Sequence, residues 1–163
     1  MSPQHEEDPL GHEQLIGGLL HKMYEVISFE EGDEPNWNGL RTLFSKHARI
    51  TRVTPEGTDY MDPGAFLAMT RNMVDLGAYT SFYVVEVARQ VERFGEIAQE
   101  WSVYETRRNK QANEALGRGV NSIQLIRENE GWRVLGLLWD ESNADPRLDV
   151  ANVLKQEMTR GKS

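Results

Sequence analysis

The feature that most constrains this chain is a change of hydrophobic period near its middle. Up to about residue 76 the apolar side chains recur at three- and four-residue steps. From Ser81 to Asp140 they alternate, in long stretches rich in β-branched and aromatic residues. The first period lays an apolar stripe along a helix and the second covers one face of a strand. Helices that come before the strands, rather than between them, do not build the crossover units of a parallel sheet. The expected class is therefore α+β: three N-terminal helices packed on a strongly curved antiparallel sheet.

Within the helical half, Leu15, Ile16, Leu19, Leu20, Met23, Tyr24, Val26 and Ile27 predict a first helix from Glu13, weakened locally by Gly17-Gly18. Asn38 is placed to cap a short second helix whose apolar side is Leu40, Leu43 and Phe44. Arg49 to Val53 reads as a short strand, followed by a turn at Thr54-Pro55-Glu56-Gly57. Asp62 before Pro63 is a cap followed by proline at the first helical position, and Phe66, Leu67, Met69, Thr70, Met73, Val74 and Leu76 then repeat helically as far as Gly77.

In the β half, residues 81–94 and Ile97 to Arg107 form one hairpin through a tight turn at Phe94-Gly95-Glu96. Gly119 to Arg127 and Trp132 to Asp140 form a second through Glu128-Asn129-Glu130-Gly131. Asp145-Pro146 repeats the cap-and-proline signal ahead of Leu148, Val150, Val153 and Leu154. The division that follows is a flexible acidic tail over 1–12, one domain over 13–142 and a C-terminal helical extension over 143–163.

Charge and composition exclude several classes of function. With 26 acidic and 18 basic residues the formal charge is -8, which repels phosphate backbones and anionic membranes, so neither nucleic acid nor membrane is an expected partner. No run of apolar residues approaches the roughly 20 needed to span a bilayer, and residues 1–12 lack the order of a secretory signal, so a soluble cytoplasmic protein is expected. The absence of cysteine excludes disulfides and thiol chemistry. His5, His12, His21 and His47 are scattered without ligand spacing, and no phosphate-binding loop or nucleophile elbow occurs, so no metal and no cofactor are expected.

Several stretches taken together carry a resemblance: Leu43-Phe44 through His47-Ala48-Arg49-Ile50, Gly95-Glu96-Ile97-Ala98 through Trp101-Ser102-Val103-Tyr104-Glu105, Arg118 to Leu125, and Gly131-Trp132-Arg133-Val134 to Leu138-Trp139-Asp140. They resemble the nuclear transport factor 2-like (SnoaL-like, cystatin-like fold) superfamily over roughly Glu13 to Glu141. The resemblance implies a cone-shaped cavity between the sheet and the N-terminal helices, and a homodimer packed through the sheet. Because the superfamily includes ketosteroid isomerase, scytalone dehydratase, polyketide cyclases and non-enzymes, it does not by itself name a function.

By this resemblance the inward set is Gln99, Trp101, Val103, Glu105 and Arg107, then Asn121, Ile123 and Leu125, then Leu135, Leu137 and Trp139. The parity of the strand over 81–94 stays open, because a bulge would reverse the face of Glu86. Ligand contacts are expected from Trp101, Val103, Glu105, Asn121, Ile123, Leu137 and Trp139. Glu105 is a candidate general base, against an ion pair with Arg107. Asn121 is a candidate amide donor, against a tie between strands. His47 and Tyr24 are acid/base candidates, against a surface histidine and a core tyrosine.

A ketosteroid isomerase-like base would fall in Ile50-Thr51-Arg52-Val53, which has no carboxylate, and that enzyme's protonated Asp falls nearest Asn121, which cannot titrate. The reading favoured here is binding of a small, largely apolar molecule in the cone. The alternatives are a cofactor-independent lyase, isomerase or cyclase, and a non-catalytic dimeric interaction module with a filled cone. On this assignment of faces, Trp101→Ala weakens binding more than Trp132→Ala.

Overall fold

A computed structural model describes residues 9–30, 32–34, 36–75, 81–145 and 147. Helix α1 (Pro9–Ile27) buries Ile16, Leu20, Met23, Tyr24 and Ile27 and leaves Glu13, Gln14, His21 and Lys22 in solvent. Full burial of a large aliphatic side chain stabilises by roughly 1.5–3 kcal/mol, so this stripe outweighs the helix cost of Gly17 and Gly18. The helix begins at Pro9, ahead of the expected Glu13, and its first turns carry His12 to the sheet. There Trp132 Nε1 donates to His12 Nδ1 at 3.0 Å, with the two rings edge to face.

A two-residue strand β1 (Phe29–Glu30) precedes α2 (Trp37–Leu43). Asn36 caps α2, its Oδ1 accepting from the Gly39 amide at 2.8 Å, whereas the expected cap Asn38 lies inside the helix. The chain then forms a hairpin of β2 (Phe44–Thr54) and β3 (Gly57–Met61). Helix α3 (Pro63–Asp75) follows, with Asp62 Oδ1 accepting from the Ala65 amide at 2.7 Å. The expected end of α3 near Gly77 and the terminal helix after Asp145 lie outside the described residues.

The helices are therefore not one N-terminal block, since the β2–β3 hairpin separates α2 from α3. Sequence reading missed β3 because its five residues are mostly exposed and carry no apolar alternation.

The four long strands are β4 (Ser81–Phe94), β5 (Ile97–Arg107), β6 (Gly117–Glu128) and β7 (Gly131–Asp140), and the described sheet runs β1-β4-β5-β6-β7-β2-β3. Strands β2 and β7 pair in parallel, so the sheet is mixed rather than wholly antiparallel. Nearly the whole sheet lies between them in sequence, and no hairpin turn forces them antiparallel. Irregular pairings interrupt β4 between Glu86 and Ala88, the β6–β7 ladder beside Leu135, and β2 between Phe44 and Arg49. Such interruptions bend strands and add twist, and α1 and α3 pack inside the curve.

The ladders fix which residues share the helix-facing side. Tyr24 of α1 bonds Ser102, Ser102 pairs with Asn121, Glu100 with Ile123, and Ala98 with Leu125. The inner set of β5 is thus Ala98, Glu100, Ser102, Tyr104 and Thr106. This reverses the expected set of Gln99, Trp101, Val103, Glu105 and Arg107. The apolar look of Trp101 and Val103 was misleading, because the inner residues Glu100 and Ser102 are polar yet covered by the helix layer.

On β6 the expected inner residues Asn121, Ile123 and Leu125 are the inner ones. On β7 Leu137 and Trp139 are inner as expected, but the irregular pairing beside Leu135 turns Val134 and Trp132 inward in its place.

Candidate functional site

A cavity of about 290 Å³ opens between α1, α3 and the inner face of β4–β7. Its walls are largely apolar, with Ile27, Phe66, Met69, Val84, Leu137 and Trp139 facing it. Phe66 and Trp139 meet edge to face with ring centroids 5.6 Å apart, which locks the two largest wall groups together. Tyr104 can lie across β6 only because residue 119 is glycine, as a Cβ there would sit 2.3 Å from the phenol oxygen.

The polar floor is Asn121 and Tyr24, and hydrogen bonds join it to side chains on two further strands. Asn121 Nδ2 on β6 donates to Tyr24 Oη at 2.9 Å, Tyr24 Oη lies 2.7 Å from Ser102 Oγ on β5, and Ser102 donates to Glu86 Oε2 on β4 at 2.5 Å. Burial drives the Tyr24 phenol above its ordinary value, and Glu86 and Glu100 add to this against the bonds from Ser102 and Asn121, so it is a neutral phenol at physiological pH. Burial also raises the Glu86 carboxyl, offset in part by Ser102 and Arg89.

Next to it Glu100 is 3% exposed, and neither carboxyl oxygen has a hydrogen-bond partner among the described residues. Burial first, then the charge of Glu86, pushes its carboxyl up to about 8.

At the rim Arg52 pairs with Glu141 and lies 3.5 Å from Asp59, with its Nη1 against the Met69 sulfur. Burial, with Glu141 and Asp140 nearby, pushes the Tyr104 phenol up to about 12. The floor thus offers neutral donors and acceptors, and the rim adds the guanidinium groups of Arg52 and Arg118 with the Glu141 carboxylate, on apolar walls. That composition holds and orients a small molecule.

Of the expected site residues, Tyr24, Asn121, Leu137 and Trp139 line this cavity. Ile123 faces the same way but is fully buried in the core beneath it. Trp101, Val103 and Glu105 lie on the opposite side of β5. Trp101 is 39% exposed there and Val103 is buried. Glu105 is held between Arg107 Nε at 2.9 Å and Arg118 Nε at 2.8 Å. Burial raises its carboxyl, but the two guanidinium groups outweigh this and leave it below the usual range. Glu105 is an ion-paired carboxylate and not a base in the cavity.

His47 is exposed on β2, its amide bonded to Ser45 Oγ, and does not reach the cavity. Among the residues that sequence reading missed are Arg52, Phe66, Met69, Tyr104, Arg118, Glu141 and the pair Ser102–Glu86. The helical period did mark Phe66 and Met69 as one face of α3, and the possible bulge did mark Glu86.

No protein-family model matches the sequence, and no curated protein matches it. Solved structures do. A protein of unknown function with a cystatin-like fold from Nostoc punctiforme superposes with TM-score 0.63 at 12% identity, over 88% of this chain and 97% of its own. A nuclear transport factor 2-like protein of unknown function from Silicibacter pomeroyi gives 0.56 at 18%, over 81% and 97%. The fold is nuclear transport factor 2-like.

A candidate ketosteroid isomerase from Shewanella frigidimarina also shares it, with TM-score 0.54 at 13% identity over 79% and 97%. At such identities the likeness extends to the fold alone. In this nuclear transport factor 2-like cone, the Ile50–Val53 stretch puts Arg52 at the rim, already engaged by Glu141. No described helix is long and apolar enough to cross a membrane, and the described residues contain no group of three or more His, Asp or Glu side chains placed to hold a metal.

Proposed function

We propose that the protein encloses a small, largely apolar molecule in its cone and orients it through one polar end, without established catalysis. The observation that carries this reading is the open cavity of about 290 Å³, walled by Phe66, Met69, Leu137 and Trp139 and floored by Tyr24 and Asn121. A filled cone would favour an interaction module, and the open one weighs against it. The lyase, isomerase or cyclase reading is weaker, since Glu105 and His47 both lie away from the cavity and Tyr24 holds its proton firmly.

A homodimer through the outer face of the sheet belongs to the same proposal. Ile97, Trp101 and Leu138 are exposed apolar residues on that face, and burying them on a second copy would remove a patch that water disfavours.

Native mass spectrometry of the purified chain tests both parts. A dimer that releases an organic mass on activation is the expected result. A bare species that also fails to take up an aminoanthracene fluorophore would sink the binding reading.

A further inference from the structure

Asn121, Tyr24, Ser102 and Glu86 form a single file of hydrogen bonds from the cavity floor to a partly buried carboxyl on β4. Its two ends differ in kind. An amide NH2 only donates, and a carboxylate only accepts, while the two hydroxyls between them each hold one proton and can point either way. The protonation state at the Glu86 end therefore orders the whole file.

With Glu86 ionised, Ser102 commits its proton to the carboxylate and Tyr24 must fill the next bond with its own. The phenol proton is then turned away from the cavity, and the phenol oxygen, accepting from Asn121, keeps one lone pair for a ligand. With Glu86 protonated, its OH donates to Ser102 Oγ and Ser102 donates to Tyr24 Oη. Both phenol lone pairs are then occupied, and the phenol proton is released toward the cavity.

We propose that Glu86, acting through Ser102, sets whether the cavity floor offers its ligand a hydrogen-bond acceptor or a donor. A ligand presenting a carbonyl or ether oxygen to Tyr24 is taken up with one proton, which goes to Glu86. A ligand presenting a hydroxyl is taken up without one. Glu86 and Ser102 are positioning residues, since neither lines the cavity.

The surroundings keep Glu86 close to this switch. Burial holds its carboxyl above the ordinary range, and Glu100 on β5 brings a second carboxyl beside it. Arg89 Nη1, 3.4 Å from Glu86 Oε1, and His21 on α1 pull the other way. Arg89 is itself lodged against α1, in the space that a side chain at Gly17 would fill. Among the described residues, these groups, with Tyr24 and with Tyr104, which pairs with Glu86 across the β4–β5 ladder, are the titratable and charged neighbours on the helix-facing side of β4, β5 and α1.

The consequence for a ligand rests on the binding reading, but the switch belongs to the free protein and is tested there. The full chain, labelled with carbon-13 at tyrosine Cζ and at the glutamate carboxyl, is titrated by NMR through the acid and neutral range. Tyr24 Cζ is expected to shift in step with the Glu86 carboxyl, at one midpoint above the ordinary glutamate value. The step disappears in Ser102→Ala, which leaves both ends of the file in place, and in Glu86→Gln. It persists in Glu100→Gln and His21→Gln.

A Tyr24 signal that stays flat while Glu86 titrates in the unaltered chain overturns the switch, with no variant needed. A step that survives Ser102→Ala, or that follows Glu100 or His21, overturns it too. A coupled step in a protein that neither retains a ligand nor takes up the fluorophore would overturn the binding reading alone. A retained ligand with a flat Tyr24 would overturn the switch alone.

Discussion

Glu100 shows how much a single residue can determine. A carboxyl that holds its proton to about 8 in the fold, and to about 4.5 when unfolded, binds more protons in the native state across that interval. Stability from this group is fully present below 4.5 and is lost as pH rises to about 8, after which it stays flat. At ~1.4 kcal/mol per unit the loss is on the order of 3–5 kcal/mol. Urea midpoints measured through this range should therefore decline in the unaltered chain, and Glu100→Gln should remove that part of the slope. An unchanged slope would mean that Glu100 is solvated.

A second residue-scale prediction concerns the tryptophans. Trp139→Ala should weaken uptake of an aminoanthracene fluorophore by about tenfold or more, which is ~1.4 kcal/mol. Trp101→Ala should leave it nearly unchanged, the reverse of what the family resemblance implies. Trp132→Ala should act through stability, because its ring is 4% exposed and its Nε1 bonds His12. Both Trp101 and Trp139 are large and apolar on alternating strands, so sequence alone could not say which one faced inward.

At the scale of elements, the two adjacent glycines of α1 look equivalent in sequence and are not. A Cβ at Gly18 meets nothing within 4 Å, whereas one at Gly17 meets the Arg89 guanidinium at 2.5 Å. Gly18→Ala should raise stability by roughly 0.5–1 kcal/mol through helix propensity. Gly17→Ala should gain less or lose, because Arg89 must leave its place beside Glu86. Thermal melts of the two variants decide this, and equal gains would contradict the packing described.

Other elements differ in how far they could be read. Helix α3 was legible because Asp62-Pro63 is a local cap with a local consequence. The faces of β5 were not, because the long connection from Arg108 to Leu116 imposes no register on β6, and the interruption after Glu86 shifts β4 by one residue. Period-two reasoning has no defence against one inserted residue.

At the scale of the whole molecule, the outer sheet face and the cone are separate surfaces, so their perturbations should separate. Leu138→Asp or Ile97→Asp should convert a dimer to monomer in light scattering and leave fluorophore uptake within about twofold, since neither residue lines the cavity. Loss of uptake along with the dimer would show that the cone depends on the second copy. The rim offers the complementary case. Arg52, tied to Glu141 and Asp59, joins β2 and β3 to the turn after β7 across the cavity mouth.

The sequence by itself determined the α+β class, the order of the long strands and the capped start of α3. Each follows from local periodicity or from a cap, and local signals survive without knowledge of the fold. Only the tertiary structure decided the rest: the parallel pairing of β2 with β7, the inner face of β5, the withdrawal of Glu105 and His47 from the cavity, and the file from Asn121 to Glu86. These depend on register between segments distant in sequence and on which polar side chains find partners when buried. Such partners are chosen by packing, and a polar residue in a strand gives no sign of them until the helix above it is in place.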